Sequence, residues 1–433
     1  MTHETVELVE TLPARAASAA RARALVREAL ARGGASDLLD TAQLAVSEVI
    51  TNALVHAGTA IDLRIVLDRT GLRVEVTDGS PHFPRLRDHT PLAGTGRGLQ
   101  LLDDIVDAWG VVARDDGKVV WFELRTDEAV TATDRPDVPL HHRDDAPATL
   151  AIELRNVPLL MHAAWQEHAS ALLRDFLLVQ LDTEPDALER HAQASDALNV
   201  LHTQLPAPDL DDDPAALMAT AIEPWVSLAA ATLAVPLGSV AHFQTLHDLL
   251  ERAVEAADRG LLLVPGTQPE IQEMRTWLCD QVREQSRGAA EPVPWVARTD
   301  IWQPVSTVDF DDWDSGEVSA STEALLATDE ASVVIAVSDS ALHFLGFREA
   351  TDLVGRRVIT IIPARFRQAH IAGTTLHVVN GRQPLLGVRV TVPVLLADGS
   401  EATTELLIEP RHRSAGRKFF IAEFFPLAAR AAG

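Results

Sequence analysis

The stretch "SEVITNALVHAG", residues 47–58, decides how the N-terminal part of this chain folds. Apolar residues in and beside it recur with the spacing of one helix face: Val46, Val49, Ile50 and Ala53. Such spacing predicts a helix with one side in a core. Glu48 and Asn52 are four residues apart, so they lie one turn apart along the border of that apolar face. Because a carboxylate and a carboxamide are costly to bury without partners, the pair indicates a ligand or polar partner beside the helix.

The surrounding sequence predicts two helices and two hairpins. The helices are expected over residues 14–32 and 37–57, by apolar periodicity. The hairpins are expected over residues 60–80 and 110–124, with an apolar helix ending at Trp109 between them. This order favours a two-layer α/β sandwich that ends near residue 126.

Two further polar features lie in the same region. Asp78 has the strand parity of the apolar residues Leu72, Val74 and Val76, so its carboxylate is predicted to point to the buried side. The loop "GTGRGL", residues 94–99, precedes an apolar helical pattern. A glycine loop that opens a helix presents backbone N–H groups to an anion.

Together these three features resemble the ATP-binding domain shared by gyrase and histidine kinases, and most closely its anti-sigma-factor serine-kinase branch. The resemblance covers roughly residues 10–126. It implies that Asn52 holds a Mg²⁺ ion bridging the ATP phosphates, and that Asp78 accepts a hydrogen bond from the adenine amino group. It also implies that Glu48 is the general base for a serine hydroxyl or a water. The nucleotide phosphates would be held by the loop residues Gly94, Thr95, Gly96, Arg97, Gly98 and Leu99.

One motif departs from the pattern of that family. The box "DGSPHFP", which begins at Asp78, carries Ser80 and His82 where the family usually has glycines. Nucleotide binding is expected to survive this change, and the altered box leaves both a catalytic and a non-catalytic domain open. A non-catalytic module that sequesters its partner in an ATP-dependent way is therefore a second hypothesis. Lys118, at the second hairpin, is predicted to be exposed.

Residues 321–427 resemble a PAS sensor domain with an antiparallel sheet. The segments "IIPARFRQAH" (361–370) and "LLADGSEATTELLI" (395–408) carry the resemblance. Such domains have a small pocket between sheet and helices, or dimerise, so a homodimer is expected. The region has no cysteine for a covalent flavin adduct, and His370 is predicted on a helix surface. The PAS ligand is left unknown.

The chain is therefore predicted to be multidomain. Residues 150–295 have helical patterns and predict an all-α middle domain of unknown role. The segments 127–149 and 296–320 are expected to be linkers, the second of them acidic.

Composition excludes several classes of protein. The formal net charge of −26 over 433 residues argues against direct binding to nucleic acid or to anionic membranes. Cys279 is the lone cysteine, which suits a reducing compartment. The longest apolar stretch is interrupted by Pro236 and Gly238 and is too short to span a bilayer. With no secretion signal visible at the N-terminus, a cytoplasmic location is expected.

The sequence thus predicts a cytoplasmic signalling regulator that binds ATP and Mg²⁺. The family resemblance implies phosphorylation of a serine or threonine on an anti-anti-sigma-type protein, with a sigma factor as second partner and PAS-based sensing. The alternatives are the sequestering module described above and a signalling scaffold.

Overall fold

The computed structural model describes residues 5–15, 17–79, 102–114, 117–125, 148–181, 183–206, 208, 213–288, 291–297, 313–381, 384–412 and 418–426. The chain divides into two compact units. The first comprises residues 1–151, 170–204 and 234–263. The second comprises residues 152–169, 205–233 and 264–433.

A five-stranded antiparallel sheet forms the centre of the first unit. Its strands are β1 (Val6–Leu12), β2 (Ile61–Asp68), β3 (Gly71–Asp78), β4 (Ala108–Arg114) and β5 (Gly117–Arg125). Their order across the sheet is β1-β2-β3-β5-β4, with antiparallel pairing throughout. The predicted turn between β2 and β3 is present, with Asp68 opposite Gly71.

Two helices, α1 (Ala17–Gly33) and α2 (Leu39–Ala57), pack on one face of this sheet. Strand residues of one parity, such as Ile65 and Val74, join them in the core. Residues of the other parity carry charge: Arg73 donates to Glu75 and Glu123 and lies over the Trp121 ring. One apolar face and one charged face make the two-layer α/β sandwich that the sequence predicts.

Two details of this sheet differ from the sequence prediction. Strand β1 was not expected, and it pairs along its whole length with β2. The helix expected to end at Trp109 is also wrong in its last part, because Trp109 lies on β4 opposite Phe122. Its indole packs against the core as predicted, but from a strand, since pairing with β5 competes with the helical pattern.

In sequence, the described residues between β5 and the second sheet form helices and two strands. The helices are α3 (Leu159–Gln180), α4 (Ala187–Gln204), α5 (Pro214–Thr220), α6 (Val240–Asp258) and α7 (Pro269–Ser286). The strands β6 (Thr149–Pro158) and β7 (Ser227–Pro236) pair with each other. The all-α prediction for residues 150–295 is therefore corrected. The alanine-rich β7 segment has no clear strand alternation in its sequence, and its pairing with β6 sets its conformation.

The second unit is built around another five-stranded antiparallel sheet. Its strands are β8 (Leu325–Asp329), β9 (Val334–Val337), β10 (Val390–Leu395), β11 (Glu401–His412) and β12 (Lys418–Pro426), in the order β10-β11-β12-β8-β9. Helices α9 (Asp339–Leu345) and α10 (Ala364–Asn380) lie between β9 and β10 in sequence, and the short helix α8 (Gly316–Ser319) precedes β8. Two strands, then helices, then three strands is the order expected from the PAS resemblance. A hairpin turn at Asp398-Gly399 joins β10 to β11.

Across the ranges that the structure describes, no helix is both long and apolar enough to cross a bilayer.

Candidate functional site

The polar face of α2 is the first part of the candidate site. Glu48 and Asn52 are half-buried, whereas Val49 and Ile50 beside them are fully buried in the core. The helix ends at Gly58, which has a positive φ of 60°. The pair thus borders the core, as predicted, with its polar groups still accessible to a ligand.

Asp78, the last residue of β3, is the second part. Its carboxylate is buried, with 2 % of the residue exposed, because β3 alternates and Leu72, Val74 and Val76 occupy the same side. The prediction that Asp78 leaves the strand on the buried side is confirmed.

Lys118 is the residue that the sequence prediction missed. It lies directly opposite Asp78 in the β3–β5 pairing, and its Nζ donates to Asp78 Oδ1 at 2.9 Å. Only 5 % of Lys118 is exposed, so the prediction of an exposed lysine is wrong. The physical reason is that a buried carboxylate needs an opposite charge or a hydrogen-bond donor, and the facing strand supplies it. No local signal indicates this pair, because it depends on the pairing of β3 with β5, which belong to different hairpins.

Gly117 lets the two strands approach at this point. A Cβ on Gly117 would lie 1.8 Å from the Asp78 carbonyl oxygen, closer than any non-bonded atoms come. Glycine is therefore required for β5 to begin beside Asp78, which in turn brings Lys118 to the carboxylate.

The ends of α2 and β3 lie side by side. The backbone N–H of Gly79, next to Asp78, donates to Thr59 Oγ1 in the loop after α2 at 3.0 Å. This bond joins Thr59, in the loop that follows the helix carrying Asn52, to the residue directly after Asp78. The helix that carries Glu48 and Asn52 and the strand that ends in Asp78 therefore meet at one edge of the first unit.

A helix from the middle of the chain also reaches this edge. Gly58 is in close contact with α4: a Cβ there would be 2.7 Å from Ala192 Cβ and 2.9 Å from the Leu188 carbonyl oxygen. Val55, three residues after Asn52, packs in a cluster with Leu177 and Leu188. Residues beyond 126 therefore complete the surroundings of α2, which the sequence did not indicate.

The donor types present suit a magnesium nucleotide. The carboxamide of Asn52 is an oxygen ligand of the kind Mg²⁺ accepts alongside phosphates and water. Asp78 is a buried acceptor for an amino group. Among the described residues, no group of three or more His, Cys, Asp or Glu side chains could hold a metal ion without such phosphate oxygens. The predicted phosphate-loop residues Gly94, Thr95, Gly96, Arg97, Gly98 and Leu99, together with Ser80 and His82, lie outside the described residues.

His370 and His377, on α10, belong to a different place. Both line a cavity in the second unit, and the Nε2 atom of His370 is buried. Burial, and secondarily the Arg357 charge, lower the pKa of His370 to about 4. The prediction that His370 is a helix-surface residue is therefore corrected, because α10 turns that side of the helix toward the cavity.

Comparison with known proteins agrees with the first of these two sites. Residues 12–124 match the family described as histidine kinase-like ATPase domain. An uncharacterized protein of Azorhizobium caulinodans is 33% identical over 106 residues, which are 24% of this chain and 14% of that protein. The chain thus corresponds to a small part of that relative's length.

Two solved structures show short likenesses. The RsbU and RsbW domains of Rv1364c from Mycobacterium tuberculosis cover 28% of this chain and 32% of theirs, at 23% identity and a TM-score of 0.23. The PAS domain of an HTR-like protein from Haloarcula marismortui covers 26% of this chain and 88% of its own, at 15% identity and a TM-score of 0.22. The site on α2, β3 and β5 lies within residues 12–124, the part of the chain that matches the histidine kinase-like ATPase domain family.

Proposed function

We propose that this protein is a signalling regulator whose N-terminal domain binds Mg²⁺-ATP and phosphorylates a serine or threonine on a partner protein. The proposed partner is of the anti-anti-sigma type, with a sigma factor as the second partner. The proposed domains are an ATPase domain at 1–126, a middle domain at 150–295 and a PAS sensor at 321–427, joined by linkers at 127–149 and 296–320. The homodimer, the sensing role and the cytoplasmic location are also proposals.

The observation that carries this proposal is the edge shared by α2 and β3. Glu48 and Asn52 lie one turn apart on a half-buried helix face, and the buried Asp78 lies at the end of the strand beside that helix. The site thus combines a candidate base, an oxygen ligand for a metal and a buried acceptor for a nucleobase.

The chemistry assigned to each side chain follows from its type. Glu48 accepts the proton of the substrate hydroxyl as its oxygen bonds to the γ-phosphorus. The bond from that phosphorus to the β,γ-bridging oxygen breaks, and ADP leaves. Asn52 would hold a Mg²⁺ ion through its carboxamide oxygen, and the ion would supply charge neutralisation for the phosphates. A positioned base contributes about 10²–10⁴-fold to such a step, and the remainder comes from positioning and charge neutralisation.

Lys118 affects the part of the site that would bind the adenine ring. The adenine amino group would donate to Asp78, which already accepts from the Lys118 ammonium at 2.9 Å. The two donors would share one carboxylate. Because Asp78 is paired with Lys118 before a nucleotide binds, adenine binding does not require the desolvation of an unpaired carboxylate.

The test compares phosphorylation with nucleotide binding in the full chain. Glu48→Gln retains shape and hydrogen bonding but removes the base, so ATP affinity should stay within a few-fold while phosphate transfer slows by about 10²–10⁴-fold. Asn52→Ala should weaken Mg²⁺-ATP binding itself. Glu28→Gln is a matched control, because Glu28 is an exposed helix carboxylate paired with Arg32.

The outcomes separate the proposed kinase from the sequestering module. Radiolabelled ATP with candidate proteins of the anti-anti-sigma type gives the rate of phosphate transfer. Calorimetry gives the affinity for Mg²⁺-ATP. If wild type binds Mg²⁺-ATP and the partner but transfers no phosphate, the sequestering function replaces the kinase. A Glu48→Gln variant that transfers phosphate at the wild-type rate would remove Glu48 from its role.

A further inference from the structure

The second unit contains a cavity of about 280 Å³. It lies between the sheet strands and the helix α10, and Leu326, Phe420 and Phe424 form part of its sheet side. An apolar cavity of about 150 Å³ binds benzene, so this one has room for roughly two fused rings.

None of the described residues that line the cavity is acidic, a lysine or an arginine. Most of its surface is aliphatic or aromatic. The polar side chains are few and are contributed by Thr328, Ser332, His370, Thr374 and His377. A charged ligand would therefore lose its hydration without gaining an opposite charge, which is strongly unfavourable.

His370 supplies one specific polar contact. Its Nε2 atom is buried and has no hydrogen-bond partner within the described part of the chain. The lowered pKa of its imidazole, about 4, keeps the ring uncharged near neutral pH. A neutral imidazole offers one donor and one acceptor nitrogen, so it suits a hydroxyl or amide on an otherwise apolar molecule.

Gly373 marks open space one turn along α10 from His370. It lines the cavity, and a Cβ added to it would have no atom within 4 Å. Glycine inside a helix costs about 1 kcal/mol relative to alanine. Its presence on the cavity side therefore leaves room that a side chain would fill.

One wall of the cavity comes from outside the predicted PAS segment. Leu217 and Met218 of α5, together with Leu160, line it. Helix α5 contacts strand β10, and Leu217 packs in a cluster with Ala372 and Leu376 of α10. The α5 segment is also held to α10 through the Glu223 N–H, which donates to the Arg365 carbonyl oxygen at 3.0 Å.

We propose that this cavity binds an uncharged, mainly apolar molecule of about ten to fifteen non-hydrogen atoms, hydrogen-bonded to His370, with α5 closing over it. Because α5 forms one wall, a bound molecule contacts both the sheet and α5. Binding therefore stabilises the α5 position against α10. The proposal does not depend on the kinase activity of the N-terminal domain.

The test uses three probes that share one ring system: 2-naphthol, naphthalene and 2-naphthoate. Calorimetry with the full chain at pH 7.5 should show 2-naphthol binding about 2- to 10-fold more tightly than naphthalene, the range expected for one hydrogen bond. The 2-naphthoate anion should bind at least about 100-fold more weakly than 2-naphthol. Tighter binding of 2-naphthoate, or no binding of either neutral probe, would overturn the proposal.

Two variants locate the probe in this cavity. His370→Phe keeps a ring but removes the hydrogen bond, so 2-naphthol should fall to the naphthalene affinity while naphthalene stays within about twofold. Gly373→Leu should fill the space and abolish binding of both, whereas Gly373→Ala is the matched control that retains it. Unchanged binding in a folded Gly373→Leu variant would show that the probe binds elsewhere.

The contribution of α5 needs a readout of its own, which also serves if Gly373→Leu does not fold. Hydrogen exchange of the wild-type protein should slow at the α5 backbone amides, Leu217–Thr220, when 2-naphthol binds. Exchange in α1, in the other unit, should not change. Slower exchange in α10 with none in α5 would contradict the assigned wall.

Discussion

Lys118 Nζ lies 2.9 Å from Asp78 Oδ1, and the two side chains are 6% and 1% exposed. The carboxylate that the family resemblance assigns to adenine is thus already paired by the protein itself. Two opposite charges buried at facing strand ends give the site a fixed polar group before any ligand binds. Breaking such a pair from one side leaves the other charge without compensation.

Replacing Lys118 should therefore destabilise the first unit. Lys118→Met keeps the length of the side chain but leaves the Asp78 carboxylate buried, at an expected cost of about 3–5 kcal/mol. The double variant Lys118→Met/Asp78→Asn should recover much of that loss. Urea unfolding measures both. Arg32→Met, which breaks an exposed pair with Glu28, is the control and should cost about 1 kcal/mol or less.

Mg²⁺-ATP should stabilise the protein through both ends of the site. At about 100 times its dissociation constant, a ligand contributes roughly 2.7 kcal/mol to the free energy of unfolding. Asn52→Ala and Asp78→Ala should each reduce the rise in melting temperature that Mg²⁺-ATP produces. A wild-type melting curve that does not move with saturating Mg²⁺-ATP would count against nucleotide binding at this site.

Substituting Gly58 should show how much its close contact with α4 limits the residue type at this position. Gly58→Ala meets both the positive φ of 60° and the Leu188 carbonyl oxygen at 2.9 Å. Gly34→Ala is matched, because its φ is 74° and no atom lies within 4 Å of its added Cβ. We expect Gly34→Ala to cost about 1–2 kcal/mol and Gly58→Ala about 1–3 kcal/mol more. If both variants lose the same free energy of unfolding, measured thermally or in urea, α4 shifts to accommodate the added methyl group without a free-energy cost.

Acid should destabilise the second unit partly through His168. Burial lowers the pKa of His168 to about 4 from its ordinary 6.5, and its Nε2 lies 3.0 Å from Thr267 Oγ1. The unfolded chain binds a proton that the folded one does not between these values. The stabilising contribution is complete above about pH 6.5 and is lost as the pH falls toward about 4.

Removing that imidazole checks the effect. His168→Gln retains a group that can bond to Thr267 but does not titrate, so its stability should fall less between pH 7 and pH 5. His343→Gln removes an imidazole at an exposed position of α9 and serves as the control. Identical pH profiles for wild type and His168→Gln, measured by urea midpoints, would contradict the assignment.

Local pattern by itself determined much of the first unit. The spacing of Val49, Ile50 and Ala53 fixes which side of α2 is buried, and this leaves Glu48 and Asn52 at its border. Strand alternation buries Asp78, and the turn at Asp68–Gly71 sets the β2–β3 register. These features follow from helix and strand periods of 3.6 and 2 residues, which depend on neighbours along the chain.

Tertiary structure alone decided the partners of those residues. Lys118 is 40 residues from Asp78, and its burial follows from the strand pairing and not from its own neighbours. Ala192 meets Gly58, and Met218 closes a cavity with His370, through packing between segments far apart in sequence. The sequence determined that Asp78 needed a partner, because its charge and its strand parity are local properties. The segments that supply those partners are set by long-range loop closure and by side-chain packing. The spacing of residues along the sequence does not contain this information.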